Sequence, residues 1–239
     1  MKGFIGSLFD ILFPEACRIC GERVREQDGL PICRDCWEKL ELITPPFCTI
    51  CGMPFVSRDG ISHPCSSCEK KPPRFKIARA VGKYTGPLRE AIIEFKYKGR
   101  RSIAGKLGKM MADMVGRDPG FGDVELVIPV PLHRSRMRER GFNQSELLAR
   151  EIGRELGIPV DTSSLIRAKR TTSQVGLGME ERRKNVAGAF EVLRSESIDG
   201  RSLLLVDDVM TTGATVNECS KALMKEGAKS VSVAVLARE

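Results

Sequence analysis

Short, uninterrupted apolar runs alternate with amphipathic segments along the last two thirds of the chain. The run at 203–206 is branched and contains no polar residue, which is typical of a central strand buried on both faces of a parallel sheet. The predicted strands are 77–84, 125–131, 203–206 and 230–237. Segments with a helical repeat of apolar positions are 88–97, 102–115, 145–156 and 216–226. This alternation predicts an α/β fold in which helices flank a parallel sheet.

The first 70 residues follow a different pattern, which is set by eight of the nine cysteines. They form four C-x-x-C pairs, and a C-x-x-C-G turn opens each half of an internal repeat. Four thiolates complete a closed tetrahedral shell around zinc, and such a shell has no open position for catalysis. The sequence therefore predicts two structural Zn²⁺ ions, with the ligands Cys17, Cys20, Cys33, Cys36, Cys48, Cys51, Cys65 and Cys68.

Some properties of these metal sites stay open at this level. The pairs can combine within each half of the repeat or be crossed between the halves, and an iron–sulfur cluster is a less favoured occupant. His63 is a candidate spare ligand, although four cysteines already serve its half. Cys219 stands alone in the last predicted helix and is most simply a small core residue.

The N-terminal segment is apolar at seven positions between residues 4 and 13 and is interrupted by Asp10. It lacks a small-residue cleavage site, so we interpret it as a short amphipathic helix rather than a signal peptide, with contact to a membrane surface as the alternative. No apolar run approaches the roughly 18–20 residues of a membrane span. Without a secretory signal the cysteines favour metal binding over disulfides, and we expect a cytoplasmic protein.

A polar, proline-stiffened stretch at residues 69–73 predicts the boundary between two domains. The first comprises residues 1–72, a double zinc ribbon with the N-terminal helix, and the second comprises residues 73–239. A segment of about 70 residues builds little core of its own. Each structural zinc contributes roughly 10 kcal/mol or more to folding, so the first domain depends on its metal.

The formal charge of +8 is concentrated in the middle of the chain. Residues 76–140 carry 15 Lys/Arg against 7 Asp/Glu, whereas the segments on either side are balanced. Aromatic residues are interleaved with cations here, a pattern that suits single-stranded nucleic acid. The candidate nucleic-acid-binding residues are Lys96, Lys98, Arg100 and Arg101. The alternative is a helix whose aromatic side chains pack inward and whose cations are solvated.

Four arginines occur within seven residues after the predicted strand at 125–131. Arginine forms planar, bidentate contacts with phosphate that lysine cannot match, so this loop and turn are a candidate anion trap. A solvated basic loop without a ligand is the alternative. The next helix begins near Ser145.

The stretch at 203–216, LLLVDDVMTTGATV, combines the features of a sugar and phosphate site. Asp207 and Asp208 come at the predicted strand end, where carboxylates can accept hydrogen bonds from sugar hydroxyls and act on Mg²⁺ through water. The Thr/Gly loop, residues 211–215, then precedes a helix whose free N–H groups favour a phosphate. An ordinary buried strand followed by an acidic N-cap is the alternative.

This stretch resembles the phosphoribosyl-pyrophosphate (PRPP) signature of type I phosphoribosyltransferases. The upstream F-K-Y-K-G-R segment and the V-P-x-x-x-x-R…R-G-F-N-Q segment are similar to the ComF family, whose members join a zinc ribbon to a phosphoribosyltransferase-like domain. The resemblance implies binding of PRPP with Mg²⁺, with Arg134, Arg138 and Arg140 as candidates for the pyrophosphate. It implies that the PRPP-binding residues include Asp207, Asp208, Val209, Met210, Thr211, Thr212, Gly213, Ala214 and Thr215.

The resemblance also suggests roles for residues 158–185. Residues 158–168 are expected to form an edge strand in a small hood over the site. Residues 169–185 occupy the place of the loop that closes over PRPP in type I phosphoribosyltransferases, and a charged surface helix at 179–186 is the alternative.

Two functions from different classes are compatible with the sequence. One is a PRPP-binding protein of the ComF type that acts in DNA uptake (natural competence), with single-stranded DNA or a helicase-type protein as partner. The other is an active phosphoribosyltransferase that uses Asp207 and Asp208 as catalytic residues and transfers phosphoribose to an unidentified acceptor. No nucleobase-recognition motif is visible in the sequence, which favours the first function.

Overall fold

The computed structural model describes residues 16–24, 31–56, 59–169 and 178–239. The N-terminal helix expected at residues 4–13 and the centre of the expected closing loop, 170–177, lie outside the described residues. None of the described helices is both long and apolar enough to cross a membrane.

A four-stranded parallel sheet forms the centre of the protein, which confirms the predicted fold class. Its strands are β1 (Ala78–Lys83), β2 (Leu126–Pro129), β5 (Ser202–Met210) and β6 (Ser230–Arg238), in the order β1-β6-β5-β2. All three pairings are parallel. Strand β5 lies inside the sheet and its residues 203–206 are fully buried, as their uninterrupted apolar run predicts.

Helices cover both faces of this sheet. They are α3 (Gly86–Tyr97), α4 (Ala104–Arg117), α6 (Gln144–Leu156) and α8 (Ala214–Lys225). On α3 the four positions with helical spacing, Leu88, Ala91, Ile92 and Phe95, are all fully buried. The helix expected at 102–115 begins with a separate 3-10 turn, Arg101–Ile103, before α4.

Two short strands form a separate two-stranded sheet outside the main sheet. Strand β3 (Leu165–Arg167) pairs antiparallel with β4 (Phe190–Val192), and α7 (Met179–Val186) precedes β4 in the chain. Of the edge strand expected across 158–168, only β3 is regular, and most of the remaining residues are irregular. Only Val160 forms a bridge beside β2, where it faces Val127.

The arginine-rich loop expected after β2 is instead a short helix, α5 (Arg134–Arg140). The His133 side chain accepts a hydrogen bond from the Ser135 N–H and caps its start. Gly141 has φ of 77° and ends it in the left-handed conformation that glycine adopts without strain. This helix has no buried residue, so its sequence lacks the apolar repeat by which a helix is recognised.

The cysteine-rich segment contains two short helices, α1 (Arg34–Trp37) and α2 (Ser66–Lys70), and packs directly on the α/β domain. Residues 41–43 run antiparallel to β1. The Ile43 N–H donates to the Val81 carbonyl at 3.0 Å, and the Lys83 N–H donates to the Glu41 carbonyl at 2.9 Å. This segment therefore covers the edge of the sheet that β1 would otherwise expose.

Candidate ligand site and metal centres

The eight cysteines of the C-x-x-C pairs form two separate clusters. Cys17, Cys20, Cys33 and Cys36 lie together, as do Cys48, Cys51, Cys65 and Cys68, and within each cluster all Sγ atoms are within 4.8 Å of one another. The pairing is thus sequential within each half of the repeat rather than crossed. His63 is not part of either cluster, and its Nδ1 lies 2.8 Å from the carbonyl of Pro64.

The geometry of both clusters fits structural zinc. A Zn–S bond of about 2.3 Å in a tetrahedron implies Sγ–Sγ separations of roughly 3.8 Å. The Cys20–Cys33 and Cys51–Cys65 separations are 3.6 and 3.9 Å. Backbone N–H groups also point at the sulfurs, for example from Cys65 to Cys48 Sγ at 3.2 Å, as expected around thiolates.

Strand β5 continues through Asp207 and Asp208, the acidic pair, and ends only at Met210. The sequence predicts the pair at a strand end, but its backbone remains in register with β6, where Asp207 faces Val235. The Thr/Gly loop then turns into α8, and Gly213 adopts φ of 75° at the N-cap of this helix. Only glycine takes up that conformation readily, and the free N–H groups of α8 consequently face the loop.

Three donors from two other helices hold the acidic pair. The Ser145 hydroxyl donates to Asp207 Oδ1 at 2.9 Å, and the Gln144 amide donates to Asp208 Oδ2 at 2.9 Å. Lys96 Nζ lies 2.7 Å from Asp208 Oδ1, with only 16% of the Lys96 side chain exposed. Because Gln144 and Ser145 open α6 and Lys96 lies in the last turn of α3, the packing of both helices fixes the carboxylates.

This arrangement changes the proton affinities of its members. Burial and the neighbouring Asp208 carboxylate raise the pKa of Asp207 to about 7, while Lys96 acts in the opposite direction. Burial also acts against the charged form of Lys96, but the two carboxylates outweigh it and raise the pKa of Lys96. The site thus contains a lysine, Lys96, that stays protonated and a carboxyl group, Asp207, that gains or loses its proton near neutral pH.

The acidic pair lines a cavity of about 590 Å³, and residues of the Thr/Gly loop line it as well. Its cationic lining residues are Lys96, Arg89, Arg136, Arg140, Arg167 and Arg182. Of the arginines predicted for the pyrophosphate, Arg140 lines this cavity, whereas Arg134 and Arg138 do not. Arg136 and Arg140 are four residues apart on α5 and share one helix face, a relation that the loop interpretation of this segment hides.

A second cavity, of about 780 Å³, lies on the other side of the Thr/Gly loop. It shares Met210, Thr211, Gly213 and Ala214 with the first cavity. Its far walls come from the second cysteine cluster and from α7, and its lining is mainly apolar.

The four predicted nucleic-acid-binding cations have different environments. Lys98 is exposed, whereas Lys96 is engaged by the acidic pair. Arg100 Nε lies 3.1 Å from the buried Glu94 carboxylate, and Arg101 donates to the Gly141 carbonyl at 3.0 Å. Beside Lys98, the exposed Tyr97 ring is covered by the Arg140 guanidinium at 5.2 Å.

Comparison with known proteins agrees with this architecture. The model of the double zinc ribbon domain matches residues 8–69, and that of the phosphoribosyl transferase domain matches residues 143–239. The DNA utilization protein YhgH of Salmonella typhimurium is 31% identical over 225 residues, which cover 93% of this chain and 89% of that protein. Competence protein F of Haemophilus influenzae is 34% identical over 211 residues, which cover 87% of this chain and 90% of that protein. The chain belongs to the ComF family.

A more distant ComF-family relative is competence protein ComFC of Bacillus subtilis, which is 27% identical over 217 residues, or 87% of this chain and 84% of that protein. This ComF-family chain therefore combines cysteine clusters that fit structural zinc with a phosphoribosyltransferase-like domain. Sequence reasoning missed Lys96, Gln144 and Ser145 as partners of the acidic pair. The F-K-Y-K-G-R and G-F-N-Q segments that indicated the family contain Lys96 and Gln144, and Ser145 follows directly.

Proposed function

We propose that this protein binds PRPP at the acidic pair and the Thr/Gly loop, and that it acts in DNA uptake or utilization. One observation carries the proposal. Three donors orient the two adjacent carboxylates at the wall of a 590 Å³ cavity, directly before a helix N-terminus. A ribose with a 5-phosphate needs diol acceptors beside an anion site, and this arrangement supplies both.

Each part of the site has a role in this proposal. The Thr/Gly loop and the first N–H groups of α8 hold the 5-phosphate. The acidic pair would accept hydrogen bonds from the ribose hydroxyls and would help to hold Mg²⁺ when it is bound together with PRPP. Arg136 and Arg140 are the arginines of α5 that face the cavity, so they are better pyrophosphate candidates than Arg134 and Arg138.

The relatives support the second half of the proposal, because their names refer to DNA utilization and to competence. We propose single-stranded DNA as a partner, contacted near the exposed Tyr97 and Lys98, with a helicase-type protein as a further partner. We also propose that the boundary between the zinc ribbon and the phosphoribosyltransferase-like domain lies at residues 69–73.

The direct test is calorimetric titration of PRPP with Mg²⁺ into the zinc-loaded protein. Asp207→Asn and Asp208→Asn each remove one charge without changing side-chain size, and we expect each to weaken PRPP binding by at least roughly tenfold, since hydrogen bonds to charged groups contribute about 1.5–3 kcal/mol. Asp123→Asn is the matched control. Asp123 is paired with Lys76 at 3.1 Å and lies before β2, at the opposite ends of the strands.

Saturable binding to the wild type and to Asp123→Asn, but not to the two site variants, supports the proposal. If PRPP does not bind the folded, zinc-loaded wild type, or if it binds all four proteins equally, the acidic pair is not a PRPP site.

A second candidate function, transfer of phosphoribose to an acceptor, is favoured by the 780 Å³ cavity. It adjoins the Thr/Gly loop and is mainly apolar, so it offers space for an acceptor. The acidic pair would then stabilise positive charge that develops on the ribose in the transition state. Pyrophosphate release in the presence of one nucleobase from a screen would support this activity, and PRPP binding without release for any base would count against it.

A further inference from the structure

Arg238, the last residue of β6, is a buried cation that has no carboxylate partner among the described residues. The residue is 6% exposed. Nη1 donates to the Cys51 carbonyl at 2.9 Å, and Nη2 lies 3.7 Å from Cys51 Sγ. In the described ranges no Asp or Glu forms an ion pair with Arg238, and the adjacent Glu239 lies 4.0 Å from Arg182 instead.

The absence of a carboxylate matters because a guanidinium is costly to bury unless an anion balances its charge. Cys51 belongs to the second cysteine cluster, which fits zinc. Four thiolates around Zn²⁺ carry a net charge of −2, and this is the anionic group that Arg238 contacts. The first cluster differs, since Arg18, the cation between two of its cysteines in sequence, is directed to Glu94 at 3.5 Å.

Arg238 also connects the second cluster to the sheet. Its backbone is paired with Met210 of β5, and its carbonyl accepts a hydrogen bond from the Tyr84 N–H at 2.8 Å. The guanidinium is therefore held on a rigid strand end and reaches out to the C-x-x-C turn. Groups outside the ligand shell that are fixed in this way orient the ligands and set the affinity of a metal site.

We propose that Arg238 is a positioning residue of the second zinc centre, where its guanidinium neutralises the thiolate complex and fixes the Cys51 turn against the end of β6. The second centre thereby depends on a residue of the phosphoribosyltransferase-like domain.

The test compares zinc affinity in the full-length wild type, Arg238→Met and Arg238→Lys by competition with a chromophoric chelator. Loss of an outer partner typically lowers metal affinity about 10–100-fold. In Arg238→Met we expect an affinity loss of this size for one of the two zinc ions, while the affinity for the other stays unchanged. In Arg238→Lys we expect near wild-type affinity for both, because the charge is kept. In the Co²⁺-substituted protein, the sulfur-to-metal charge-transfer band of one centre should shift in Arg238→Met.

Arg79→Met is the matched control. Arg79 is also largely buried and donates to the ribbon backbone, at the Thr49 carbonyl 3.0 Å away, but its charge is balanced by Asp118 at 2.7 Å and it contacts no thiolate. Both zinc affinities and the Co²⁺ spectrum should stay as in the wild type. If Arg238→Met does not fold, Arg238→Gln gives the same comparison, since it removes the charge but retains a donor. Wild-type affinity and an unshifted band in the neutral variant would overturn the proposal, as would equal weakening in Arg79→Met.

Discussion

At the scale of single residues, Lys96 shows how a side chain can take a role that its local sequence does not indicate. Its neighbours in sequence are aromatic and basic, so it looks like part of a nucleic-acid surface. In the structure its ammonium lies 2.7 Å from Asp208, a residue 112 positions away. The carboxylates compensate the burial of the ammonium, and together they form the centre of the candidate site.

Asp207 leads to a prediction about stability and pH. Its folded-state pKa of about 7 is above the unfolded value of 3.8, so its contribution to stability is full below about pH 4 and is lost as the pH rises to about 7. Ionisation of Asp207 at high pH therefore destabilises the folded protein, and Asp207→Asn removes this destabilisation. We expect it to raise the unfolding free energy of the ligand-free protein by about 2 kcal/mol at pH 8, with little gain at pH 4. Thermal denaturation at both pH values measures this.

Asp123→Asn serves as the control of opposite sign. The Lys76 ammonium lowers the pKa of Asp123, so its contribution is present above the unfolded pKa and is lost as the pH falls through the folded pKa. Asp123→Asn should therefore slightly destabilise the protein at pH 8. A destabilising effect of Asp207→Asn at pH 8 would contradict the inference that the fold disfavours the ionised form of Asp207.

At the scale of elements, the two halves of the zinc ribbon look equivalent in sequence but are packed differently. Gly21 and Gly52 follow the first C-x-x-C pair of each half, and both have positive φ. A Cβ on Gly52 would lie 2.5 Å from the Ala78 carbonyl oxygen of β1, whereas one on Gly21 would meet no atom within 4 Å. At its glycine, the second C-x-x-C-G turn thus packs tightly against the sheet, whereas the first makes no such contact with the described residues.

This difference predicts unequal effects of the same substitution. Gly21→Ala should cost only the strain of a left-handed residue, roughly 1 kcal/mol of unfolding free energy. Gly52→Ala adds a clash with backbone and should cost roughly 3 kcal/mol, as large mutational effects do when they combine strain with overpacking. Chemical denaturation of the two zinc-loaded variants measures the difference. Equal costs would mean that the second turn is not held against β1.

Other elements differ in how clearly the sequence indicates them. The strands β5 and β6 and the helices α3, α6 and α8 are recognisable, because buried elements have apolar periodicity. Helix α5 has no buried residue and therefore no such signal. The two-stranded sheet β3–β4 is also hard to predict, since its short strands are defined by pairing between residues far apart in the chain, such as 165 and 192.

At the scale of the whole molecule, the excess positive charge is distributed between two environments. Some cations of the basic middle segment line the 590 Å³ cavity, and others, such as Lys98, face solvent. The first group suits a small anionic ligand, and the second offers a surface for a polyanion. The exposed Tyr97, with Arg140 over its ring, lies beside Lys98 and provides a platform for stacking.

The DNA-binding part of the proposal is tested on this surface. Lys98→Glu should weaken binding of single-stranded DNA severalfold and lower the slope of log affinity against log salt by about 1, because one phosphate contact is lost. Tyr97→Ala should cost about 1–3 kcal/mol of binding free energy through lost stacking. Fluorescence anisotropy with a labelled oligonucleotide over a range of salt concentrations measures both.

Lys225→Glu is the matched control for Lys98→Glu, since it changes the net charge equally and its side chain is 81% exposed at the end of α8. If Lys225→Glu weakens DNA binding as much as Lys98→Glu does, the loss comes from the overall charge of the protein. The surface around Tyr97 is then not a binding site.

By itself, the sequence determined the order of the strands of the main sheet and of the helices that flank it, the eight cysteines that are candidate metal ligands and the signature at 207–215. These depend on local periodicity and on residues close together in the chain. Only the tertiary structure decided the sequential pairing of the cysteines, the ion pair between Lys96 and Asp208, the arginines that face the cavity and the contact of Arg238 with Cys51. The physical reason is that these features join residues far apart in the chain, and parallel strands and packed helices bring them together.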